Sequence, residues 1–323
     1  MISTNLILIE GISGSGKSTT AQRLYLNMIR QGIDAQWFYE HEVPHPIFHA
    51  DEVEAALKTG LSEPNRIHKK ALENWEKLAS ELKGTQRVII LESAFFQTSA
   101  GSLLLMGAEK GEIIAYSQQI PPLIHELHPI LIYLYQDDIA QALHRINEKR
   151  GGEFYRFLIA KFSETPLGKK RKIDNVNKIV EAFQHFREFM DALYEQFPQR
   201  KLAIENSQGD WDEYRRRIGD FLGIDNIDHP SHPINNWADF AGRYREIHSG
   251  QEWIVAVGDD FLYFDNAYKT RLIHKTNNVF YLEGSCVELS FECSGDSRIC
   301  RAVCQGHLPG EAAIGTVWEK IDA

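Results

Sequence analysis

Nine consecutive residues concentrate the chemistry of this chain: Gly11-Ile12-Ser13-Gly14-Ser15-Gly16-Lys17-Ser18-Thr19. The spacing is Gly-x4-Gly-Lys-Ser. Glycines at such positions let successive backbone N–H groups turn into one concavity and hold phosphate oxygens. A following helix adds the favourable partial charge of its N-terminus. Lys17 is expected to reach the β- and γ-phosphates of ATP, and Ser18 to hold Mg²⁺. Gly11, Ser13, Gly14, Ser15, Gly16, Lys17, Ser18 and Thr19 therefore form the expected nucleotide site.

Phosphoryl transfer needs more than a cradle. It needs an acid near the metal, a group that takes the acceptor's proton, and positive charge around the moving phosphoryl group. Glu92 ends the apolar run Arg87–Glu92 (RVIILE), where open α/β sheets place their ligands. It is expected to hold Mg²⁺ or to act as base. Glu40 and Glu42 flank His41 after the run Ala35–Glu40 (AQWFYE), and Glu40 is the better-placed base. Arg145 and Lys149 share a helix face, Arg150 follows them, and Gly151–Lys172 is the most basic stretch of an acidic chain. That segment reads as a mobile lid, with Arg145 and Arg150 meeting the phosphates on closure.

Two other clusters carry less. His41, His45 and His49 recur every four residues, but Pro44 and Pro46 interrupt any helix there, so a polar loop is favoured over a metal site. Cys286, Cys293, Cys300 and Cys304 lack paired zinc spacings, and Cys300 and Cys304 read as core-filling residues on one strand face.

These residues need a scaffold, and the first 224 positions supply one. Asn5–Glu10, Ala35–Glu40, Arg87–Glu92, Pro129–Tyr135 and Lys201–Glu205 are short apolar runs suited to parallel strands covered on both faces. Helical patterns lie between them, after the glycine-rich loop and at 64–83, 111–127, 174–197 and 210–222. The alternation predicts an α/β fold with a doubly wound parallel sheet. Residues 225–236 (DNIDHPSHPINN) read as a linker. Beyond it, strand-like runs at roughly ten-residue spacing predict a smaller antiparallel barrel or sandwich over 237–323. They are Glu252–Val257, Phe261–Phe264, Arg271–His274, Val279–Leu282, Val287–Glu292, Ile299–Cys304 and Ile314–Trp318.

Leu6–Thr20 (LILIEGISGSGKSTT) resembles the opening of thymidylate kinase-like nucleoside monophosphate kinases. Leu91–Gln97, Leu131–Gly151 and Lys201–Leu222 resemble their later landmarks in order, over about residues 1–224. The resemblance implies a P-loop kinase that uses ATP and Mg²⁺. It also implies that the loop after the last strand, with Asn206, lies against the adenine. In related deoxynucleoside kinases an acid at the position of Glu40 activates the acceptor hydroxyl. Three departures bear on the acceptor. Ser93 follows Glu92 where arginine is usual, Glu40-His41-Glu42-Val43-Pro44 replaces Arg-Glu-Pro, and Ser13 replaces an aspartate. The missing arginines would have held a substrate phosphate. Phe240–Tyr244 and Val287–Phe291 resemble small lipocalin-like β domains.

The chain has 323 residues, 43% hydrophobic and 25% charged, with net charge −10. That suits two globular domains and argues against a nucleic-acid polymer or an anionic membrane as partner. No apolar run is long enough to span a bilayer, and the N-terminus lacks a signal-peptide pattern, so a cytoplasmic location is expected. The expected partner is a small-molecule acceptor, with a homodimer allowed. Two functions compete: an ATP-dependent kinase of a nucleoside, nucleotide or other hydroxyl compound, and a regulatory P-loop NTPase whose β domain binds a partner.

Overall fold

A computed structural model describes residues 3–42, 44–48, 53, 57, 64–224, 237–258, 261–265, 269–293, 298–305 and 314–321. The chain divides into two compact units, Met1–Asp228 and His229–Ala323. The expected linker, 225–236, lies outside the described residues.

The first unit is built on strands β1 (Leu6–Gly11), β2 (Ala35–Phe38), β3 (Val88–Glu92), β4 (Ile130–Tyr135) and β5 (Arg200–Glu205). They form one sheet in the order β2-β3-β1-β4-β5, and every neighbouring pair is parallel. Parallel strands need crossovers, and helices supply them. The first is α1 (Lys17–Arg30), then α2 (Pro64–Leu82), α3 (Gly101–Leu105), α4 (Lys110–Ser117) and α5 (Ile120–Ile124). Beyond β4 come α6 (Ile139–Lys149), α7 (Phe154–Ser163), α8 (Pro166–Arg171) and α9 (Val176–Gln196), and α10 (Trp211–Leu222) follows β5.

Successive side chains of β1 point to opposite faces and join different cores. Leu6 and Leu8 pack with Trp75, Leu78 and Leu82 of α2 and Phe189 and Met190 of α9. Ile7 and Ile9 pack with Ala21, Leu24 and Met28 of α1 and Ile218 and Leu222 of α10. A doubly wound sheet follows, and its inner strands β1, β3 and β4 are mostly apolar and buried because both faces are covered.

The structure departs from the sequence pattern in four places here. β2 stops at Phe38 because a turn follows, closed by the Glu42 N–H on Tyr39 O (3.0 Å) and the Tyr39 N–H on Glu42 Oε2 (3.1 Å). Glu40 thus leaves the strand. The expected helix 111–127 is broken into α4, α5 and a 3₁₀ turn, His125–Leu127; Pro121 and Pro122 sit in the first turn of α5, where their missing N–H groups cost nothing. Residues Ala94–Ala100 form a π-helix running into α3, which no periodicity announced. The basic segment 151–172 is a pair of helices, and Phe154, Leu158 and Leu167 anchor it in the main core.

The first described residues of the second unit form one helical turn, α11 (Trp237–Phe240), so the unit is not wholly β. Eight antiparallel strands follow: β6 (Gly242–Glu246), β7 (Glu252–Val257), β8 (Leu262–Phe264), β9 (Arg271–Thr276), β10 (Val279–Leu282), β11 (Glu288–Cys293), β12 (Ile299–Cys304) and β13 (Val317–Lys320). Each pairs with the next, and β13 returns to β6, closing a barrel with no free sheet edge. The last strand is shifted from the expected 314–318, because residues 314–315 form a turn. Tyr244, Phe264, Phe280, Phe291 and Trp318 fill the core, and Trp253 stacks on Trp318 with centroids 3.8 Å apart. Phe240 packs 5.1 Å from Phe280, and the Tyr244 hydroxyl donates to the Phe240 carbonyl at 2.7 Å. Cys304 is buried in the same core and Cys300 is half-buried. Outward rings are covered by cations: the Arg271 guanidinium lies 4.2 Å from the Phe261 ring.

Candidate active site

The glycine-rich loop joins β1 to α1, as its motif requires. Gly14 and Gly16 have φ of +76° and +86°, backbone that L-residues rarely adopt. Space demands glycine as well. A Cβ on Gly14 would lie 2.2 Å from Ile146 Cδ1, and one on Gly16 would lie 2.2 Å from the Trp211 ring. The N-terminus of α1 has no side-chain cap and no acid in its first turn, leaving its N–H groups and dipole for an anion. Lys17 is buried, and its Nζ donates to the Ile12 carbonyl at 3.0 Å. Ser13 and Thr19 are half-buried beside it, and Ser15 is buried with an unpartnered Oγ.

Ser18 Oγ donates to Glu92 Oε1 at 2.5 Å, so the end of β3 meets the first turn of α1. Glu92 is buried, and its Oε2 has no hydrogen-bond partner among the described residues. Burial pushes its carboxyl up to about 8; Lys17 and the Ser18 hydroxyl oppose this, while Glu40 and Glu10 add to it. An orphaned carboxylate oxygen beside a serine hydroxyl suits Mg²⁺, which takes one or two protein oxygens and completes its shell with phosphates and water. Among the described residues no group of three or more His, Cys, Asp or Glu is arranged to hold a metal.

Glu10 is a member of the site that sequence reasoning missed. It is the only acid in an otherwise apolar strand run, which was the available signal. It is fully buried; Oε1 accepts from the Phe95 N–H at 2.7 Å and Oε2 from the Gln97 N–H at 3.4 Å. Burial raises its carboxyl to about 7 against the pull of those N–H groups and Lys17. It thereby anchors the π-helix, whose first turn is entered through Ser93 at φ +60°, an uncommon conformation for serine. π-Helical turns concentrate at functional sites. This one carries Gln97, whose Nε2 donates to Glu40 Oε1. Nothing in the sequence distinguishes Gln97. Glu40, Glu10 and Glu92 are thus drawn towards the loop from β2, β1 and β3.

The remaining expected residues are placed differently. Asn206 Nδ2 donates to Ser15 O at 2.6 Å, so it props the phosphate loop from behind. Arg145 is half-buried; it donates to Ser207 O at 2.6 Å and Gln136 Oε1 at 3.2 Å. Arg150 is exposed at the end of α6, 4.6 Å from the Phe154 ring centroid, and reaches none of the acids. Among the histidines, His45 Nδ1 accepts from the N–H groups of Ile47 and Phe48, each at 3.2 Å, in a turn rather than a helix, and His49 lies outside the described residues.

The fold defines the class: a doubly wound parallel α/β unit with a glycine-rich loop between β1 and α1, and a second unit that is a closed eight-stranded barrel. Among solved structures, the chain is similar to a thymidylate kinase from Ehrlichia chaffeensis, at 17% identity and a TM-score of 0.41, over 68% of this chain and 99% of that one. No family model matches the chain, and no curated protein matches it. Among the described residues no helix is long and apolar enough to cross a membrane.

Proposed function

We propose that this chain transfers the terminal phosphoryl group of ATP to a hydroxyl group of a small molecule. The observation that carries the reading is the meeting of Ser18, Lys17 and Glu92 at the loop, with Glu40 held by Gln97 next to them. A loop that only bound nucleotide would have no need of a second carboxylate pinned by a strained turn.

In this reading the loop N–H groups and the N-terminus of α1 hold the phosphates, and Lys17 exchanges the Ile12 carbonyl for a phosphate oxygen. Ser18 and Glu92 are the residues that would hold Mg²⁺, and the bound ion would neutralise charge on the phosphate oxygens. Glu40 takes the proton of the acceptor hydroxyl. Arg145 and Arg150 border the basic segment and would bring positive charge to the phosphates, Arg145 by giving up Ser207 O. Asn206 holds the loop in shape.

ADP release measured with and without candidate acceptors tests the proposal. Release that depends on an acceptor, and that Lys17→Ala lowers by about 100-fold or more, is the expected result. Nucleotide hydrolysis indifferent to every acceptor would favour the regulatory NTPase instead.

A further inference from the structure

The two segments that carry Glu40, Glu92 and Gln97 contain no lysine or arginine; the cation beside Glu92 is Lys17 of the glycine-rich loop. From Gln31 to Phe48 there is no lysine or arginine, and the acids are Asp34, Glu40 and Glu42. From Val88 to Glu109 there is again none, and the acids are Glu92 and Glu109. These stretches hold the ends of β2 and β3 and the π-helix between which Glu40 and Gln97 meet. A phosphomonoester carries close to two negative charges at neutral pH. Like charges in a site of low dielectric repel. A phosphorylated acceptor set against Glu40 would meet that repulsion, and neither segment holds a cation to offset it.

Gln97 adds a polarity to the site. A carboxylate only accepts, so the bond from Gln97 Nε2 to Glu40 Oε1 sets which way the amide faces. Its Oε1 is then a buried acceptor with no partner among the described residues. An unsatisfied buried acceptor is costly, and a ligand donor would recover that cost.

We infer that the acceptor is a hydroxyl compound that carries an amino group and no phosphate. Its ammonium donates to Gln97 Oε1 beside the Glu40 carboxylate, and its hydroxyl lies against Glu40. The inference rests on the phosphotransferase reading. In the step, the acceptor oxygen forms a bond to the γ-phosphorus. The bond from that phosphorus to the β–γ bridging oxygen breaks, and the electron pair leaves with ADP. The hydroxyl proton passes to the Glu40 carboxylate and then to water. ATP and the amino alcohol become ADP, the phosphate monoester and a proton.

The test divides a polar small-molecule extract by ion exchange into anionic, neutral and cationic fractions. Each is incubated with the full chain, Mg²⁺ and ATP labelled on its γ-phosphate. Label should enter organic products from the cationic fraction at least about 10-fold more than from the others. Equal or greater transfer to the anionic or neutral fraction would overturn the inference. Release of inorganic phosphate alone, with no organic product from any fraction, would remove the phosphotransferase reading and this inference with it. With the cationic fraction as acceptor, Gln97→Met should raise the acceptor KM by about 10-fold and leave the ATP KM unchanged. An unchanged acceptor KM would show that Gln97 does not read the amine.

Discussion

The carboxylate of Glu10 receives the backbone N–H of Phe95 at 2.7 Å, tying the end of β1 to the first residues of the π-helix after β3. The same carboxylate reaches the Gln97 N–H, and Gln97 in turn holds Glu40. One buried acid on the central strand thus sets the position of a second acid on β2's loop, through a turn that belongs to neither.

Glu10 should make stability depend on pH. Its folded carboxyl is raised from 4.5 to about 7, chiefly by burial, so the folded chain holds the proton more tightly than the unfolded chain. The stabilisation is complete below pH 4.5 and is lost as pH rises through about 7. Glu10→Gln is neutral throughout. Wild type should therefore lose stability relative to Glu10→Gln between pH 5 and pH 8, measured by urea unfolding at each pH. Parallel profiles for the two proteins would show that Glu10 does not titrate in this window.

Glu40→Gln should separate chemistry from nucleotide binding. The side chain touches Gln97, and no bond joins it to the phosphate loop. A general base contributes about 10²–10⁴-fold, so kcat should fall by that factor while the dissociation constant for ATP stays put. Loss of ATP affinity, seen by calorimetry, would move Glu40 into the nucleotide site.

Gly16 and Trp211 meet so closely that Gly16→Ala should abolish ATP binding. The new methyl would enter the indole ring, and φ of +86° adds about 1–2 kcal/mol for any L-side chain. Adding Trp211→Ala removes the clash and leaves the backbone cost, so the double variant should recover part of the affinity. Wild-type affinity in the single variant would mean that the loop relaxes freely.

The two units divide near Asp228, and the loop, Glu10, Glu40, Glu92, Gln97 and Asn206 all belong to the first. A chain ending at Ile224 should fold and bind ATP as the full chain does, because separate cores usually fold alone. Calorimetric titration of the soluble fragment checks this. Aggregation of the fragment would show that the barrel is needed to complete the first core.

Short-range order was written plainly in the residues. Apolar runs such as Leu6–Ile9 and Ile130–Leu134 read as strands buried on both faces, and Gly-x4-Gly-Lys-Ser after such a run reads as a strand–loop–helix turn of the kind that cradles phosphate. The eight short strands of the barrel were legible from alternation and turns, apart from β6 and the shift of β13. Glu40, Glu92 and Lys17 were singled out because strand ends and helix starts are where a parallel sheet gathers ligands. Tertiary structure alone decided the rest. Asn206 and Ser15 stand 191 residues apart, and no local pattern says that one amide will brace the other's carbonyl. The same holds for Trp211 over Gly16, and for Glu10, an acid that reads as the end of a strand until the π-helix closes over it. Strand order and the path of a crossover are set by which buried faces fit together, and a single chain of residue types records each face without recording its partner.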